Sequence, residues 1–267
     1  MIFPSTRTGQ TENEAEGIRL FTRAGIPCPK LLAHDFTGND IGVRYVFTER
    51  VSGDIVWGEW EQIDDAAKAE TERQATDIYT RMNAITNSHF GSLTPNGPLG
   101  RHKTWDECYR AWFNLLIRDS IKNNLFTDDE ITAVKAAAEK PLEYGKTYLP
   151  TFEHGDLGWH NMIWGHINNE PDALHVIDFG NARYVPPHLT VWGKPPHEVP
   201  DAANLDRSIN LLLLYDFEMG VMRKEMQKLT EDYAHCTDGM TNGINKIKKD
   251  TSREHIVNFV EKFRAII

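Results

Sequence analysis

The first fifty residues combine one helical pattern with two extended ones. Thr11–Glu14 has the spacing of a capping box, which predicts a helix over Glu12–Gly25 with the glycine just past its C-terminal end. Two prolines then disfavour helix, and the segments Lys30–His34 and Arg44–Glu49 are predicted as strands joined by a turn. Gly53 breaks the extended pattern.

Helical periodicity dominates the chain from about Asp64 to the region before residue 150. The first predicted helix has apolar residues at Ile78, Met82 and Ile85. This pattern ends at Phe90-Gly91, and a second apolar stripe predicts a helix packed into the core. The stripe consists of Trp105, Tyr109, Trp112, Phe113 and Leu116. Another capping box, Thr127–Glu130, opens a third helix.

Short extended pieces replace the helices around residue 150. They cover Tyr148–Glu153, Met162–Trp164 and Leu174–Ile177. Helices resume from about Asp201, and the last one is amphipathic, with apolar residues at Ile256, Phe259, Val260 and Phe263. This order predicts a two-lobed α+β plan, with a small lobe and hinge over residues 1–53 and a mainly helical large lobe over residues 54–267.

The composition is typical of a globular protein in a reducing compartment. The chain has 267 residues, of which 40 % are apolar and 25 % charged, and no apolar run reaches the length of a membrane helix. The N-terminal residues lack a signal-peptide pattern, and the three cysteines lie far apart, so we expect a cytoplasmic protein. A net charge of −10 argues against nucleic acid as the main partner. The sequence indicates no oligomeric state.

The candidate chemistry lies among the short extended pieces. His154 opens the sequence His-Gly-Asp-Leu-Gly-Trp-His-Asn, which contains Asp156 and Asn161, and Asp178 follows within Val-Ile-Asp-Phe-Gly. Transfer of a phosphoryl group from ATP to a hydroxyl requires an acceptor for the hydroxyl proton and oxygen ligands for Mg²⁺. A carboxylate and an asparagine on one loop, with a second carboxylate at a strand end, can supply both.

These two motifs resemble the protein-kinase-like superfamily. Their form, His-Gly-Asp-Leu with Ile-Asp-Phe, is most similar to the aminoglycoside and choline phosphotransferases. The resemblance implies a kinase-like two-lobed fold, ATP and Mg²⁺ as cofactors, and a small-molecule hydroxyl as the acceptor. It also implies that Asp156 is the catalytic base, that Asn161 and Asp178 are the Mg²⁺ ligands, and that His154 braces the loop.

The resemblance extends upstream to Ile26–Leu32 and Tyr45–Gly53, which are similar to the late small-lobe strands and hinge of these enzymes. In the family, backbone groups of the hinge bind the edge of the adenine. The resemblance therefore implies nucleotide contacts around Glu49 and Val51. An edge strand followed by a turn explains the same residues, so both interpretations stay open.

The N-terminal region departs from the family. Relatives begin with a glycine-rich hairpin over the phosphates and a strand whose lysine or arginine pairs with a glutamate on the next helix. Here only about ten residues precede the helix predicted from the capping box, and Arg7 is the only preceding basic residue. Glu14 lies where the family has the helix glutamate, but its capping-box role explains it without any partner. The resemblance therefore implies a truncated small lobe. Three explanations stay open, namely an incomplete gene model, a natural fragment and a degenerate member of the family.

Three alternatives stay open on the sequence alone. A protein kinase is favoured by Asp178-Phe-Gly and by an APE-like segment at Pro195–Glu198, and is disfavoured by Gly155, where those enzymes carry arginine. A pseudokinase, which binds a nucleotide or a partner without catalysis, is favoured by the missing first strands. A metallohydrolase would use clustered histidines whose spacing matches no zinc motif. These histidines are His154, His160, His166 and His175.

Overall fold

The computed structural model describes residues 9–40, 44–122, 124, 126–138, 149–168 and 170–186. The helices of these residues are α1 (Gln10–Arg23), α2 (Val56–Glu59), α3 (Asp65–Asn83), α4 (Trp105–Lys122) and α5 (Asp128–Ala138). Their strands are β1 (Leu31–Asp35), β2 (Tyr45–Thr48), β3 (Ser52–Ile55), β4 (Phe90–Ser92), β5 (Arg101–His102), β6 (Thr151–Glu153), β7 (Met162–His166), β8 (Ala173–Val176) and β9 (Arg183–Val185). The predicted helices from Asp201 onward, including the amphipathic one, and the APE-like segment lie outside the described residues.

Helix α1 confirms the predicted N-terminal helix but not its capping box. The helix begins after Gly9, whose φ of 94° is left-handed, and no side chain caps its N-terminus. Thr11 and Glu14 therefore lie inside the helix, because it starts two residues earlier than the capping-box pattern indicated. Gly25, with a φ of 67°, follows the C-terminal end as predicted. The carboxylate of Glu14 is thus available for another role.

The remaining predicted helices are present, with one correction. The side chain of Asp64 caps α3 by accepting from the Ala67 N–H at 2.8 Å, and the capping box before α5 forms as predicted, with the Thr127 N–H donating to the Glu130 carboxylate at 2.8 Å. The apolar stripe of α4 is buried. The prediction that the α3 pattern ends at Phe90-Gly91 was wrong, because α3 ends at Asn83 and Phe90 begins β4.

The strands form three antiparallel sheets. Strands β1 and β2 pair with each other, β3, β7 and β8 form a three-stranded sheet in the order β3-β7-β8, and a four-stranded sheet has the order β5-β4-β9-β6. The predicted strands correspond to β1, β2, β6, β7 and β8. The sequence did not predict β3, β4, β5 and β9, each of which has only two to four residues.

Gly53 takes part in a strand instead of ending one. It lies in β3 directly opposite Gly165 of β7. A Cβ atom at either position would overlap the backbone of the opposite strand. The prediction that Gly53 breaks the pattern was therefore wrong, because the glycine permits close approach of two strands. This pairing joins the segment after the candidate hinge to the strand that follows Asn161.

The hydrophobic core places α1 against the segment that carries Asp178. Phe179 is fully buried, and its ring lies 4.6 Å from that of Phe21 on α1, in an edge-on arrangement. A Cβ atom at Gly17, one turn away on α1, would lie 2.5 Å from the Cβ of Phe179. Only a residue without a side chain fits there, so α1 and the Asp178 segment pack in direct contact.

The chain divides into two compact units. One comprises Met1–Cys108 with Gly145–Val199, and the other comprises Tyr109–Tyr144 with Pro200–Ile267. The candidate site residues all belong to the first unit. The predicted lobe division after residue 53 stays a prediction. No helix of the described ranges has the length and apolar character needed to cross a membrane.

Candidate active site

The loop that follows β6 is anchored at its start by buried polar contacts. Glu153, the last residue of β6, accepts a hydrogen bond from the Arg183 guanidinium of β9 at 2.8 Å, and both side chains are buried. The next residue, His154, accepts from the Asp156 N–H at Nδ1 (3.3 Å), and its Nε2 lies 3.0 Å from the Ile177 carbonyl. Nε2 is therefore the donor of this second bond, and the imidazole is neutral. Burial lowers the pKa of His154, in agreement with this assignment.

Asp156 presents its carboxylate at the surface of this loop. Its side chain is 47 % exposed. The Asn161 amide nitrogen donates to the Asp156 carbonyl at 2.9 Å and to its Oδ2 at 3.2 Å, and the His160 Nε2 lies 3.2 Å from Oδ1. A short 3-10 turn, Trp159–Asn161, brings both partners to the carboxylate. Asp156 is thus accessible to a substrate and is held by its own loop.

Asn161 links this loop to the strand end that carries Asp178. Its carbonyl accepts from the Ile177 N–H at 3.1 Å, and Ile177 directly precedes Asp178. The hydrogen bonds of its side chain use Nδ2, so Oδ1 is the atom that can bind a cation. The structure therefore brings Asp156, Asn161 and the Asp178 segment together, as the two motifs predicted.

Asp178 has a backbone conformation that is unusual for its residue type. Its φ of 66° lies in the left-handed region, which costs about 1 kcal/mol or more for a residue other than glycine. The strain is held by the buried ring of Phe179 and by a turn in which the Ala182 N–H donates to the Phe179 carbonyl at 2.9 Å. Backbone strain of this kind concentrates at functional sites.

Glu14 is a site residue that the sequence interpretation assigned to a helix cap. Its carboxylate lies near the backbone amides of Phe179 and Gly180 and near the carboxylate of Asp178. Burial and, second, the negative charge of Asp178 raise the pKa of Glu14 to about 7. No ion pair among the described residues involves either carboxylate. The helical spacing from Glu14 to Gly17 could have identified the contact, because residues three apart share a helix face.

The candidate hinge residues lie between β2 and β3. The Glu49 N–H donates to the Lys30 carbonyl at 2.9 Å, and its carboxylate lies 3.4 Å from the Asn168 amide and 3.9 Å from the Lys30 ammonium. Val51 is buried. What these two residues can offer a ligand is therefore backbone: the Glu49 carbonyl and the main chain of Val51. They lie at the opposite end of the β3–β7 pair from Asn161.

The histidines do not form a metal centre. His154 and His160 contact the Asp156 loop, and the His166 Nδ1 lies 2.9 Å from the Asp172 carboxylate. Within the ranges that the structure describes, no group of three or more histidine, cysteine, aspartate or glutamate side chains could hold a metal ion. This finding disfavours the metallohydrolase alternative. A Mg²⁺ ion bound by Asn161 and Asp178 would require further oxygen ligands, which the phosphates of a nucleotide can supply.

A family model of known proteins matches most of the chain. It is described as APH, the phosphotransferase enzyme family, and it matches residues 1–193. None of the curated proteins is significantly similar to the chain.

Solved structures also resemble this chain. A protein from Ralstonia eutropha JMP134, provisionally assigned as an aminoglycoside phosphotransferase, superposes with a TM-score of 0.58 at 14 % identity, over 96 % of this chain and 84 % of that one. The gentamicin complex of APH(2″)-IIa gives a TM-score of 0.46 at 17 % identity, over 95 % and 80 % of the two chains. The first of these likenesses confirms the predicted α+β kinase-like fold.

Proposed function

This chain belongs to the phosphotransferase enzyme family, and on that premise we propose that it transfers the γ-phosphoryl group of ATP to a hydroxyl group of a small molecule. The observation that carries the proposal is the hydrogen-bonded unit of the Asp156 loop and the Asp178 segment, joined through Asn161. One similar solved structure is a complex with gentamicin, and another is a ternary complex with streptomycin and ATP. The family match favours this function over a protein kinase.

Asp156 is the proposed base. Its exposed carboxylate can accept the proton of an acceptor hydroxyl as the oxygen attacks the γ-phosphorus. Asn161 fixes the carboxylate from one side, which limits its rotation and orients it toward the acceptor. Phosphoryl transfer requires mainly positioning and charge stabilisation from a protein, so this arrangement suits the reaction.

Asn161 and Asp178 are the proposed Mg²⁺ ligands. One amide oxygen and one carboxylate are the hard ligands that Mg²⁺ prefers, and two protein ligands suit a cation that also binds nucleotide phosphates. When bound, this cation would neutralise charge on the phosphates. Glu49 and Val51 are the proposed hinge, through their backbone groups, and would hold the adenine at the other end of the β3–β7 pair.

A nucleotide-binding protein without catalytic activity is a second candidate function. Glu14 and Asp178 favour it, because no ion pair among the described residues supplies a cation to these two carboxylates, and phosphoryl transfer requires positive charge to stabilise the charge that develops on the phosphates. Arg7, the only basic residue before α1, lies outside the described residues. Both candidates bind nucleotide, and only the first consumes it.

Calorimetry of ATP binding with and without Mg²⁺ provides the first test. We expect binding that depends on Mg²⁺ and that Asp178→Ala weakens by at least about tenfold, which is about 1.4 kcal/mol. Asp77→Ala is the matched control, because it removes the same charge from an exposed ion pair on α3. Absence of ATP binding to the unsubstituted chain would refute both candidate functions.

A panel of hydroxyl acceptors then separates the candidates. Aminoglycosides, choline-like amino alcohols and simple sugars would be incubated with Mg-ATP, and phosphorylated product would be detected by mass spectrometry. Product that disappears in Asp156→Ala supports the transferase. Nucleotide binding without product from any acceptor supports the second candidate.

A further inference from the structure

The Asp156 carboxylate accepts a hydrogen bond at each of its oxygens. The Asn161 amide nitrogen lies 3.2 Å from Oδ2, and the His160 Nε2 lies 3.2 Å from Oδ1. A base must be ionised before it can take a proton, and an ionised carboxylate only accepts hydrogen bonds. In the reactive state, Nε2 of His160 is therefore the donor. Each oxygen keeps a second lone pair for the acceptor hydroxyl.

The absence of a side chain at Gly158 leaves space for the His160 ring. A Cβ atom at Gly158 would lie 2.5 Å from Cε1 and 2.6 Å from Nδ1 of the His160 ring. The backbone of Gly158 is extended, with φ −149° and ψ 169°, which other residues adopt without strain. The need for glycine at this position therefore comes from the imidazole that lies against it.

The contact between His160 and Asp156 contributes little to the stability of the fold. Their side chains are 50 % and 47 % exposed, and exposed pairs of this kind contribute little to the free energy of unfolding. The terminal torsion of an aspartate is broad, so a carboxylate held at one oxygen can still rotate. A second donor at the other oxygen restricts that rotation.

We propose that His160 is a positioning residue that holds the Asp156 carboxylate in its reactive orientation through an Nε2–H donor to Oδ1, in space that Gly158 provides. This inference rests on the proposed function, in which Asp156 is the base. In this proposal His160 acts through Asp156 and not through the nucleotide. Its effect is therefore expected on turnover and not on nucleotide affinity.

The kinetic test measures ADP release from Mg-ATP, with water as the phosphoryl acceptor and then with any hydroxyl acceptor found by the panel. His160→Ala is expected to lower kcat about tenfold, the effect of one lost hydrogen bond to a charged group, and to leave the KM for ATP unchanged. His160→Gln retains a donor and should restore most of the loss. Gly158→Ala should resemble His160→Ala, because its methyl group displaces the ring.

His166→Ala is the matched control. His166 also contacts an aspartate, with Nδ1 2.9 Å from Asp172, and its side chain is 44 % exposed, but it lies at the end of β7. We expect normal kcat in this variant and thermal midpoints within about 2 °C of the unsubstituted protein in all of them. Unchanged kcat in His160→Ala would overturn the proposal, and so would a loss that His160→Gln does not restore.

Nuclear magnetic resonance separates failure of this proposal from failure of the proposed function. If the unsubstituted chain releases no ADP with any acceptor, the proposed function fails, and the hydrogen bond is tested directly with ¹⁵N-labelled histidine. We expect the His160 ring to carry its proton on Nε2 and to change its nitrogen shifts in Asp156→Ala, whereas His166 stays the same. A His160 signal that does not respond to Asp156→Ala would show that the contact is absent in solution.

Discussion

The two carboxylates of the proposed reaction lie in contrasting surroundings. Asp156 is exposed and receives donors at both oxygens from residues four and five positions along the same loop. Asp178 lies on a strained backbone beside Glu14, a second carboxylate whose pKa burial and the Asp178 charge raise to about 7. In the Asp156 half of the site, hydrogen bonds within the loop satisfy the carboxylate. In the Asp178 half, which consists of Asp178 and Glu14, two carboxylates concentrate negative charge, and a bound cation would relieve it.

The largest effect is expected from removal of the base. Asp156→Ala should lower kcat by about 10²–10⁴, the usual contribution of a general base, with little change in ATP affinity, because Asp156 does not belong to the Asp178 half. Asp156→Asn keeps the shape and an acceptor oxygen and should be equally impaired. Steady-state kinetics and calorimetry measure the two quantities. Weaker ATP binding together with normal kcat would show that Asp156 acts in nucleotide binding and not as the base.

Neutralising Glu14 should stabilise the protein at alkaline pH. Its pKa in the folded protein, about 7, exceeds the usual 4.5, so the stability that this group contributes is complete below about pH 4.5 and is lost as the pH rises toward 7. Glu14→Gln should therefore raise the free energy of unfolding by about 1–3 kcal/mol at pH 8, with a much smaller change at pH 5. Urea unfolding at the two pH values measures the difference.

The control for this prediction is Glu16→Gln. Glu16 lies on the same helix and pairs with Arg19 at 3.4 Å. We expect no stabilisation from it at either pH. A gain at pH 8 that is equal in the two variants would attribute the effect to the net charge of the chain and not to the Asp178 half.

Two glycines with left-handed backbones test how tightly the Asp156 loop is packed. Gly155 has a φ of 82°, and a Cβ atom there would overlap the Asn181 carbonyl, whereas Gly100, with a φ of 67°, has its nearest neighbour 3.8 Å away. Both alanine substitutions strain the backbone, but only Gly155→Ala also crowds a neighbour. We expect its loss of unfolding free energy to exceed that of Gly100→Ala by about 1 kcal/mol. Equal losses would show that the loop moves freely away from Asn181.

The smallest effect concerns the coupling of the two acidic side chains. Asp178→Asn removes the second cause of the raised pKa of Glu14 but leaves the first, its burial. The pKa of Glu14 should therefore fall but stay above 4.5. A pH titration of the Glu14 carboxyl carbon by nuclear magnetic resonance measures it. An unchanged pKa would show that the two carboxylates do not interact.

The sequence predicted the features that depend on local pattern. The Asp156 loop was found because Asp156 and Asn161 lie within one short motif, and the α5 capping box was found because Thr127 and Glu130 contact each other directly. The single-sequence pattern missed what depends on distant contacts. The role of Glu14 requires Phe179 and Gly180, which lie far along the chain, and its local spacing also fitted a helix cap.

Short strands were missed for a related reason. Strand β3 contains Gly53, which local propensity assigns to a turn, and it forms because Gly165 of β7 lies opposite. Strand β9 has three residues, and its pairing with β4 and β6 fixes it. In β3 and β9, tertiary pairing thus decided the structure of segments too short to show a period.

The contact between Gly17 and Phe179 has a consequence for local unfolding. When α1 opens, the Glu14 carboxylate leaves the Phe179 and Gly180 amides, and the Phe179 ring loses the helix surface that covers it. The opening of α1 and the loss of the Asp178 backbone geometry are then one cooperative event. Amide protons of α1 and of residues 179–180 should therefore exchange with solvent at a common rate, as a single unit of native-state fluctuation.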